Sequence, residues 1–316
     1  MELDIIIVNW NAGNQLRECL ESINNAANQD GCKLSGVVVV DNASSDGSAD
    51  GLEDLGLPLA VLRNSKNRGF AAACNQGARG SEAAYLLFLN PDTRLIKGSL
   101  VKPLAFMEQR GSQNTGIVGI QLVDDNSRVC RSCARFPTPR QFFSQMLGLH
   151  RLFPRLFPSH FMSEWDHAES REVDHVMGAY FLVRRLLYES LGGFDERFFL
   201  YLEDVDFSLR ARQVGWRSFY LADVQAYHKG GGTSEQARAM RLFCSLHSRI
   251  VYGYKHFGRL DATSLMLGTV LLEPWLRVGS AVATGSLLQL KETQKAYAML
   301  WRSLPQLIVR ERKNAG

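Results

Sequence analysis

The stretch that decides the fold is Leu3-Asp4-Ile5-Ile6-Ile7-Val8-Asn9-Trp10-Asn11, an apolar run that ends in polar turn residues. The run has the length of one buried strand, and the spacing beyond the turn predicts a helix to about Ala27. Three further apolar runs of strand length follow at residues 37–40, 59–62 and 84–89. Continuous apolar strands that alternate with helices are typical of parallel βαβ units covered on both faces. The sequence therefore predicts an α/β fold with a mostly parallel, Rossmann-like sheet flanked by helices.

Polar side chains follow the predicted strands at their carboxyl ends. Asn9 follows the first strand, Asp41 ends the second, and Asn90-Pro91-Asp92 follows the fourth. In parallel α/β sheets, ligands bind beyond the carboxyl ends of the strands. We therefore expect these side chains to contribute to one binding site.

The glycines restrict the kind of ligand. A dinucleotide-binding unit needs G-x-G-x-x-G after its first strand, but only Gly13 stands there, and the sequence contains no G-x-x-x-x-G-K-[S/T] run. These absences argue against hydride transfer and against a P-loop NTPase. A nucleotide held by carboxylates and amides remains, with its diphosphate neutralised by a divalent metal. Carboxylate oxygens such as those of Asp92 suit Mg²⁺ or Mn²⁺.

A cluster of acids marks a second candidate site of chemistry. The apolar run 198–202 ends in Glu203, Asp204 and Asp206, which open an amphipathic helix predicted to end near Gly215. Acids complement the dipole at a helix N-terminus, and this accounts for one or two of them. It does not account for three acids directly behind an apolar run, where ionised groups are desolvated. Asp206 and Arg210 stand four apart and are predicted to pair on the helix.

Seven motifs occur in order over residues 3–235. They are Asn9-Trp10-Asn11, residues 40–48 (VDNASSDGS), Asn67-Arg68-Gly69-Phe70-Ala71 with Asn75, Asn90-Pro91-Asp92, Gly178-Ala179 with Arg184-Arg185, Gly192-Gly193-Phe194-Asp195, and residues 203–207 (EDVDF) with Arg210. In this order they resemble the family 2 inverting glycosyltransferases with the GT-A fold, and most closely the bacterial rhamnosyltransferase-like branch. Each motif alone would be ordinary turn chemistry, whereas seven in order are specific.

The resemblance implies roles for residues on the donor side. Nucleotide-sugar contacts are implied for Asn9, Asp41, Asn67, Asn75 and Asn90. Asp92 corresponds to the last acid of the DxD metal motif, and His228 to a second ligand of Mg²⁺ or Mn²⁺. Asn90 stands where a carboxylate is often found, so the diphosphate must supply more of the metal ligands. Structural alternatives remain open: an Asx turn at Asp41, a helix cap at Asn67 or Gly69, a plain turn at 90–92 and a hydrogen-bonded His228.

On the acceptor side, the resemblance implies that Asp204 is the general base and that Glu203 and Gly178 bind the acceptor. A single base is sufficient for an inverting transfer, because one acceptor hydroxyl loses one proton. Glu203 and Asp204 are adjacent on the chain, so they do not form the facing carboxylate pair of a retaining glycosidase. A glycine-rich loop, 229–234, follows His228 and is predicted to fold over phosphates.

The function implied is a metal-dependent inverting hexosyltransferase. The first choice is transfer of L-rhamnose from dTDP-rhamnose to a saccharide acceptor, polyprenyl-linked, in synthesis of a cell-surface polysaccharide or O-antigen. The alternatives are another donor sugar, such as galactofuranose, mannose or N-acetylglucosamine, and a catalytically silent scaffold that binds sugar nucleotides. Sequence cannot choose between donor sugars because specificity depends on the shape of the pocket.

Positive charge is concentrated in the C-terminal part of the chain. Residues 229–316 contain 13 Lys and Arg against 5 Asp and Glu, in a chain of net charge +4. Residues 238–257 predict a helix. Residues 265–290 are apolar but interrupted by Glu273-Pro274 and Arg277, so they predict an interfacial or re-entrant helical pair rather than a spanning helix. A packed appendage or a homo-oligomer contact is the alternative. Nucleic-acid binding is not expected, since the tail has no arginine-rich run.

The expected organisation is a catalytic domain, 1–235, followed by a basic helical extension, 236–316. Residues 1–125 form the nucleotide-sugar half and residues 126–235 the acceptor half. Within the latter, residues 136–174 are too long for a connector and are expected to shape or cover the acceptor site. Scattered cysteines and the absence of a signal-peptide pattern predict a cytoplasmic protein, peripheral on the anionic inner face of the cell membrane.

Overall fold

The structure is a computed structural model that describes residues 2–162, 164–230 and 238–314. The strands in these ranges are β1 (Leu3–Asn9), β2 (Leu34–Asp41), β3 (Leu59–Arg63), β4 (Tyr85–Leu89), β5 (Thr93–Leu95), β6 (Thr115–Val123), β7 (Val129–Cys130), β8 (Cys133–Ala134), β9 (Arg171–Val173), β10 (His175–Val176), β11 (Tyr180–Arg184) and β12 (Arg217–His228). The four strands predicted from the apolar runs are confirmed as β1 to β4.

One large sheet has the strand order β3-β2-β1-β4-β11-β6-β12-β5, with β7 paired to β6 and β9 to β12. β1, β2, β3 and β4 run parallel, as predicted. The other half of the sheet is mixed, because β11 lies antiparallel to both β4 and β6, and β5 lies antiparallel to β12. A separate pair, β8 and β10, lies beside it. The prediction of a mostly parallel sheet is therefore confirmed for β1 to β4 and for the pair β6 and β12, while the antiparallel β11 and β5 make the sheet mixed.

The helices are α1 (Asn14–Asp30), α2 (Phe70–Ala78), α3 (Val101–Glu108), α4 (Pro139–Met146), α5 (Leu149–Leu152), α6 (Arg185–Ser190), α7 (Glu203–Gln213), α8 (Arg238–His256), α9 (Arg259–Leu267), α10 (Glu273–Ala283) and α11 (Leu287–Asn314). A π-helical segment, Gly268–Leu272, joins α9 to α10. The helix predicted after the first turn is α1, and the helix opened by the acids is α7.

Both faces of the sheet are covered, which explains why its central strands are apolar without alternation. Ile5 and Ile7 of β1 point to one face and pack with Leu16 of α1. Ile6 and Val8 point to the other face and belong to the core that includes α2. Burial of successive side chains on opposite faces requires apolar residues at every position of the strand.

The chain forms two compact units. The sheet unit consists of the described residues within Met1–Phe136, Phe161–Glu196 and Glu203–Thr233; the helical unit consists of those within Pro137–His160, Arg197–Leu202 and Ser234–Gly316. Two segments placed in the catalytic domain from sequence thus belong with the C-terminal helices. In the helical unit the Phe142 ring lies 6.0 Å from the Tyr252 ring, and Ser248 Oγ donates to the Leu200 carbonyl at 2.8 Å. The predicted boundary at 235 lies outside the described residues.

The helical run Arg259–Ala283 is continuous for 25 residues. The break expected at Glu273-Pro274 was therefore wrong. Two features let the helix continue: Pro274 stands in the first turn of α10, after the π-helical segment, and the buried Glu273 carboxylate pairs with Arg249 and with Arg277 at 2.8 Å. Among the described residues, this is the one helix that is both long enough and apolar enough to cross a membrane. Of its most apolar 18-residue stretch, 28% is buried. Core helices of soluble proteins meet the same two conditions.

Candidate active site

The carboxyl ends of β1 and β2 bring Asn9 and Asp41 together. The two strands are parallel with Asn9 opposite Asp41, and Asn9 Nδ2 donates to Asp41 Oδ1 at 2.9 Å. The same amide group donates to the hydroxyls of Ser44 and Ser48 in the turn that follows β2. Asn9 Oδ1 is buried and makes no hydrogen bond among the described residues. The predicted pair therefore forms a buried polar floor with one unsatisfied acceptor.

Asn67 supports the loop that leads into α2. Its Oδ1 accepts from Asn42 Nδ2 at 3.0 Å and from the Gly69 N–H at 2.9 Å. Gly69 has φ of 86°, a left-handed value that favours glycine. The N-cap of α2 is Gly69, without a side-chain cap, so of the two caps considered the structure has the one at Gly69 and not the one at Asn67. The contact of Asn67 with a donor stays a prediction.

Asn75 binds a different part of the sheet unit. Its Oδ1 accepts from the Tyr188 hydroxyl at 2.5 Å and from the Phe194 N–H at 2.9 Å, while Nδ2 donates to the Phe194 carbonyl at 2.8 Å. Both ends of this amide are thus engaged by the segment after β11. These bonds hold α2 against that segment, and the predicted donor contact of Asn75 stays a prediction.

Asp92 and His228 meet although 136 positions separate them in the sequence. β5 and β12 pair antiparallel with Thr93 opposite His228, which places residue 92 beside the end of β12. Asp92 Oδ1 lies 3.4 Å from His228 Nε2, and the two side chains are 6% and 16% exposed. The Lys229 N–H donates to the Asp92 carbonyl at 3.2 Å and fixes this geometry.

The donor atoms of this pair fit a divalent metal. His228 Nε2 is buried and makes no hydrogen bond among the described residues, so an imidazole nitrogen beside a carboxylate oxygen is left for another partner. In the described part of the chain no group of three or more His, Cys, Asp and Glu could hold a metal by itself. A metal here would complete its coordination with oxygens of a bound diphosphate and with water. The glycine-rich loop predicted after His228 lies mostly outside the described residues.

The Asp92–His228 pair and the acid cluster are joined through Ala179. The Ala179 carbonyl accepts from the Asn90 N–H at 3.1 Å and from the Thr93 hydroxyl at 3.3 Å. One residue earlier, the Gly178 N–H donates to Asp204 Oδ2 at 2.9 Å. A Cβ on residue 178 would lie 3.2 Å from the same oxygen, so glycine permits this close approach. The predicted residues at 90–92, 178 and 204 therefore lie along one edge of the sheet.

Asp204 is held by protein groups yet still reaches solvent. Its side chain is 15% exposed, and Oδ2 lies 3.5 Å from Nε2 of the buried His175. Val205 donates its N–H to Oδ1 at 2.8 Å, as befits the first turn of a helix. A carboxylate that is held in place and still partly exposed can accept a proton from a bound hydroxyl.

Glu203 is in a different electrostatic state. Its side chain is buried, and Oε2 makes no hydrogen bond among the described residues. Burial, reinforced by the negative charge of Asp204, raises the pKa of Glu203 well above its usual value. A carboxyl group with a raised pKa keeps its proton to higher pH than a free carboxyl does, and a protonated carboxyl can donate a hydrogen bond. A buried acid with a strongly raised pKa beside a second, partly exposed acid is a pattern found at functional sites.

The predicted pair of Asp206 and Arg210 is confirmed. Arg210 Nε donates to Asp206 Oδ2 at 2.8 Å, and Asp206 is fully buried. Arg210 also donates to the carbonyls of Leu191 and Gly193. The pair therefore ties α7 to the glycine turn at 191–193 and serves the structure of the site.

His175 is a site residue that the sequence analysis missed. Its Nδ1 lies 3.3 Å from Ser208 Oγ, which in turn donates to the Asp204 carbonyl at 2.8 Å. Burial lowers the pKa of His175, against the opposing effects of Asp204 and Asp174, so the ring is neutral near neutral pH. Its position three residues before Gly178 was the available signal, but sequence does not show that the ring turns inward.

The fold and the edge just described define a class of protein, the GT-A nucleotide-sugar transferases. A solved structure of this class is that of a mannosyltransferase from Pyrobaculum calidifontis in complex with GDP-Man and Mn²⁺. The likeness has a TM-score of 0.56 at 17% identity and covers 95% of this chain and 86% of the other.

The sequence profile described as "Glycosyl transferase family 2" matches residues 4–192, and the chain belongs to this family. It is 25% identical over 302 residues to the N-acetylglucosaminyl-diphospho-decaprenol L-rhamnosyltransferase of Mycobacterium tuberculosis, covering 89% of this chain and 94% of the relative. It is 28% identical over 153 residues to the rhamnosyltransferase WbbL of Escherichia coli, covering 48% of this chain and 54% of the relative. The protein is thus a glycosyltransferase of the rhamnosyltransferase-like branch.

Proposed function

We propose that this enzyme transfers L-rhamnose from dTDP-rhamnose, with inversion, to a polyprenyl-diphosphate-linked saccharide during synthesis of a cell-surface polysaccharide. The observation that carries the proposal is the shared sheet edge, where the Gly178–Asp204 contact and the Asp92–His228 pair are joined through Ala179. The relatives support both the sugar and the lipid-linked acceptor, since one of them is named as an L-rhamnosyltransferase that acts on N-acetylglucosaminyl-diphospho-decaprenol.

In the proposed reaction, an acceptor hydroxyl attacks the anomeric carbon from the face opposite the diphosphate. The new carbon–oxygen bond forms as the bond to the diphosphate oxygen breaks, and the electron pair leaves with the nucleoside diphosphate. The hydroxyl proton passes to the Asp204 carboxylate. A positioned base of this kind contributes about 10²–10⁴-fold to the rate. The Gly178 N–H holds Oδ2 and the Val205 N–H holds Oδ1, so the carboxylate is oriented before the acceptor binds.

Glu203 is proposed to bind the acceptor as a neutral acid. Its protonated carboxyl donates a hydrogen bond, whereas an ionised one would repel the negative charge that Asp204 carries before the transfer. The two neighbouring acids thus have separate roles: Asp204 accepts a proton, and Glu203 keeps its own proton.

On the donor side, Asp92 and His228 are proposed to hold Mg²⁺ or Mn²⁺. When bound, the metal acts as a Lewis acid that stabilises charge on the leaving diphosphate. Asn9, Asp41, Asn67, Asn75 and Asn90 are proposed to contact the nucleotide sugar. The buried, unsatisfied Asn9 Oδ1 supports this for the first two, because a donor group of the nucleotide would satisfy it.

A calorimetric panel tests the donor. With Mn²⁺ present, dTDP-rhamnose is expected to bind more tightly than GDP-mannose, UDP-N-acetylglucosamine or UDP-galactofuranose. If another nucleotide sugar binds more tightly, that sugar and not rhamnose is the donor. Transfer is then measured on a polyprenyl-diphosphate-linked N-acetylglucosamine acceptor, with the anomeric configuration of the product read by NMR. Donor binding without transfer to any acceptor would favour the catalytically silent scaffold.

A further inference from the structure

The helical unit exposes large apolar side chains along the run Arg259–Ala283. Leu260 is 86% exposed, Trp275 75% and Leu271 61%. Leu260, Leu267, Leu271, Trp275 and Val282 follow one another at intervals of seven, four, four and seven residues, which is the spacing of a single helix face. Exposure of this face therefore follows a pattern and is not the scatter of isolated apolar residues found on soluble proteins.

The opposite face of the run packs within the helical unit. Ala262, Leu265, Thr269 and Glu273 are buried and follow at intervals of three and four residues. The helix therefore has one face committed to its own unit and one face uncovered. A helix of this kind can lie along a surface while its buried face stays in place.

A second segment of the same unit extends the exposed face. Leu147, Leu152, Phe153 and Leu156 are between 44% and 70% exposed. The segment joins the helix where Met146 packs on Gly268: a Cβ on residue 268 would lie 3.0 Å from Met146 Cε. Gly268 sits between the exposed Leu267 and Leu271. The two sets of residues form one apolar band, defined as residues 147–156 and the exposed side chains from Leu260 to Leu288.

Exposed cations stand beside members of the band in the sequence. Arg151 and Arg155 adjoin Leu152 and Leu156, and Lys291 follows Leu288 by three residues. Asp261, next to Leu260, is an exposed acid, so cations outnumber acids in these segments. A symmetric contact between two copies through this band would bring the same cations together, which opposes dimerisation. An anionic bilayer instead supplies negative headgroups to the cations and acyl chains to the band, and tryptophan is favoured at that boundary.

We infer that the apolar band is a membrane-docking surface whose partner is the headgroup region of an anionic bilayer, with the run Arg259–Ala283 lying in the plane of the interface. The inference goes beyond the proposed transfer. Only the role of the docking surface rests on the proposed function: it would hold the enzyme at the leaflet that contains a lipid-linked acceptor.

Vesicle sedimentation of the full chain tests the inference. Phosphatidylcholine vesicles with phosphatidylglycerol are expected to bind the protein, and pure phosphatidylcholine vesicles to bind it more weakly. The double variant Leu271→Ser/Trp275→Ser is expected to lose about tenfold or more in affinity, because two large apolar side chains no longer enter the interface. The matched control is Leu186→Ser/Val214→Ser, which removes two exposed apolar side chains of the sheet unit and should bind as wild type does.

Three results would overturn the inference: no binding of wild type to anionic vesicles at low salt, equal binding by the band variant, or loss of a dimer by that variant in light scattering. Circular dichroism and thermal unfolding establish that both variants fold. Transfer to a water-soluble, short-chain acceptor is measured in parallel. If wild type fails to bind vesicles but still transfers the sugar, the docking inference fails and the proposed function stands. If it binds vesicles but transfers no sugar, the proposed function fails and the docking inference stands.

Discussion

At the scale of single residues, the site contains two adjacent carboxyls in different surroundings. Asp204 is oriented by the Gly178 N–H, whereas Glu203 is buried with a raised pKa. Asp204→Asn keeps the shape and removes proton acceptance. We expect transfer to fall by about two orders of magnitude or more while donor affinity measured by calorimetry is retained. The surface variant Glu53→Gln is the control, and transfer near the wild-type rate in Asp204→Asn would show that another group is the base.

Glu203 should make the stability of the enzyme depend on pH. Because its pKa is raised in the folded state, the folded protein keeps a proton that the unfolded chain releases once the pH exceeds the ordinary value. The contribution of Glu203 to stability is therefore full at low pH and is lost as the pH rises toward the folded pKa. Glu203→Gln removes this loss, so we expect it to be more stable than wild type at neutral pH, with the difference shrinking toward pH 4. Denaturant unfolding across pH measures it, and a constant difference would contradict the raised pKa.

His175 should act on the reaction through Asp204. The ring lies 3.5 Å from Asp204 Oδ2 and is neutral near neutral pH because burial lowers its pKa. We expect His175→Phe to lower kcat with little change in donor affinity and to shift the acidic limb of the pH–rate profile, while His175→Gln, which keeps a hydrogen-bond donor, restores part of the rate. Equal losses in both variants with an unshifted profile would point to packing alone.

The sequence analysis selected Asp204, Asp92 and His228 as candidates but not His175, for a physical reason. Acids behind an apolar run and a histidine at the end of a strand are visible as patterns. Packing decides whether a lone histidine points inward. Here β10, which contains His175, pairs with β8 and is covered by α7. Neither contact leaves a periodic pattern in the sequence.

At the scale of elements, strand pairing creates the metal pair. Burial of a strand on both faces can be read from a continuous apolar run, and β1 to β4 were predicted on that basis. The direction of a neighbour cannot, since a buried strand reads alike in parallel and antiparallel sheets. β11 therefore entered antiparallel against expectation, and the pairing of β5 with β12 was not foreseen.

Because β5 and β12 hold Asp92 and His228 side by side, both residues should matter only in the presence of a divalent cation. We expect Asp92→Ala and His228→Ala to weaken binding of the nucleoside diphosphate in Mn²⁺ and to leave the weaker binding in EDTA unchanged. Calorimetry under the two conditions makes the comparison. Equal losses in EDTA would mean that the pair stabilises the strand ends and holds no metal.

Another prediction concerns the helix that continues through Pro274. Glu273 is buried between Arg249 and Arg277, so its removal leaves Arg249 uncompensated in the core of the helical unit. We expect Glu273→Gln to destabilise the protein by about 3–5 kcal/mol. Glu292→Gln, which removes the looser pair with Lys295 at 3.5 Å, should cost less than about 1 kcal/mol. Chemical denaturation compares the two, and similar small losses would show that the buried cluster is solvated.

At the scale of the whole molecule, the chain forms two compact units. The structure assigns some residues to them differently from the sequence analysis. Residues 137–160 lie between strands of the sheet unit along the chain, yet they belong with the C-terminal helices. Their apolar residues were expected to cover the acceptor site. That expectation stays a prediction, but the segment's exposed side chains now belong to the apolar band. Contacts between residues a hundred positions apart, such as Phe142 with Tyr252, leave no local pattern, so the grouping could not be read from the sequence.

This division predicts that membranes stimulate transfer selectively. With a long-chain polyprenyl acceptor in anionic vesicles, the wild-type rate should exceed that of Leu271→Ser/Trp275→Ser by about tenfold, since docking raises the local concentration of enzyme at its acceptor. With a short, water-soluble acceptor the two proteins should react alike, because the substitutions lie in the helical unit and the proposed base and metal ligands in the sheet unit. Raising the salt concentration should narrow the first difference, since screening weakens the attraction of the bordering cations to the headgroups. Equal rates of the two proteins on both acceptors would detach the apolar band from catalysis at the membrane.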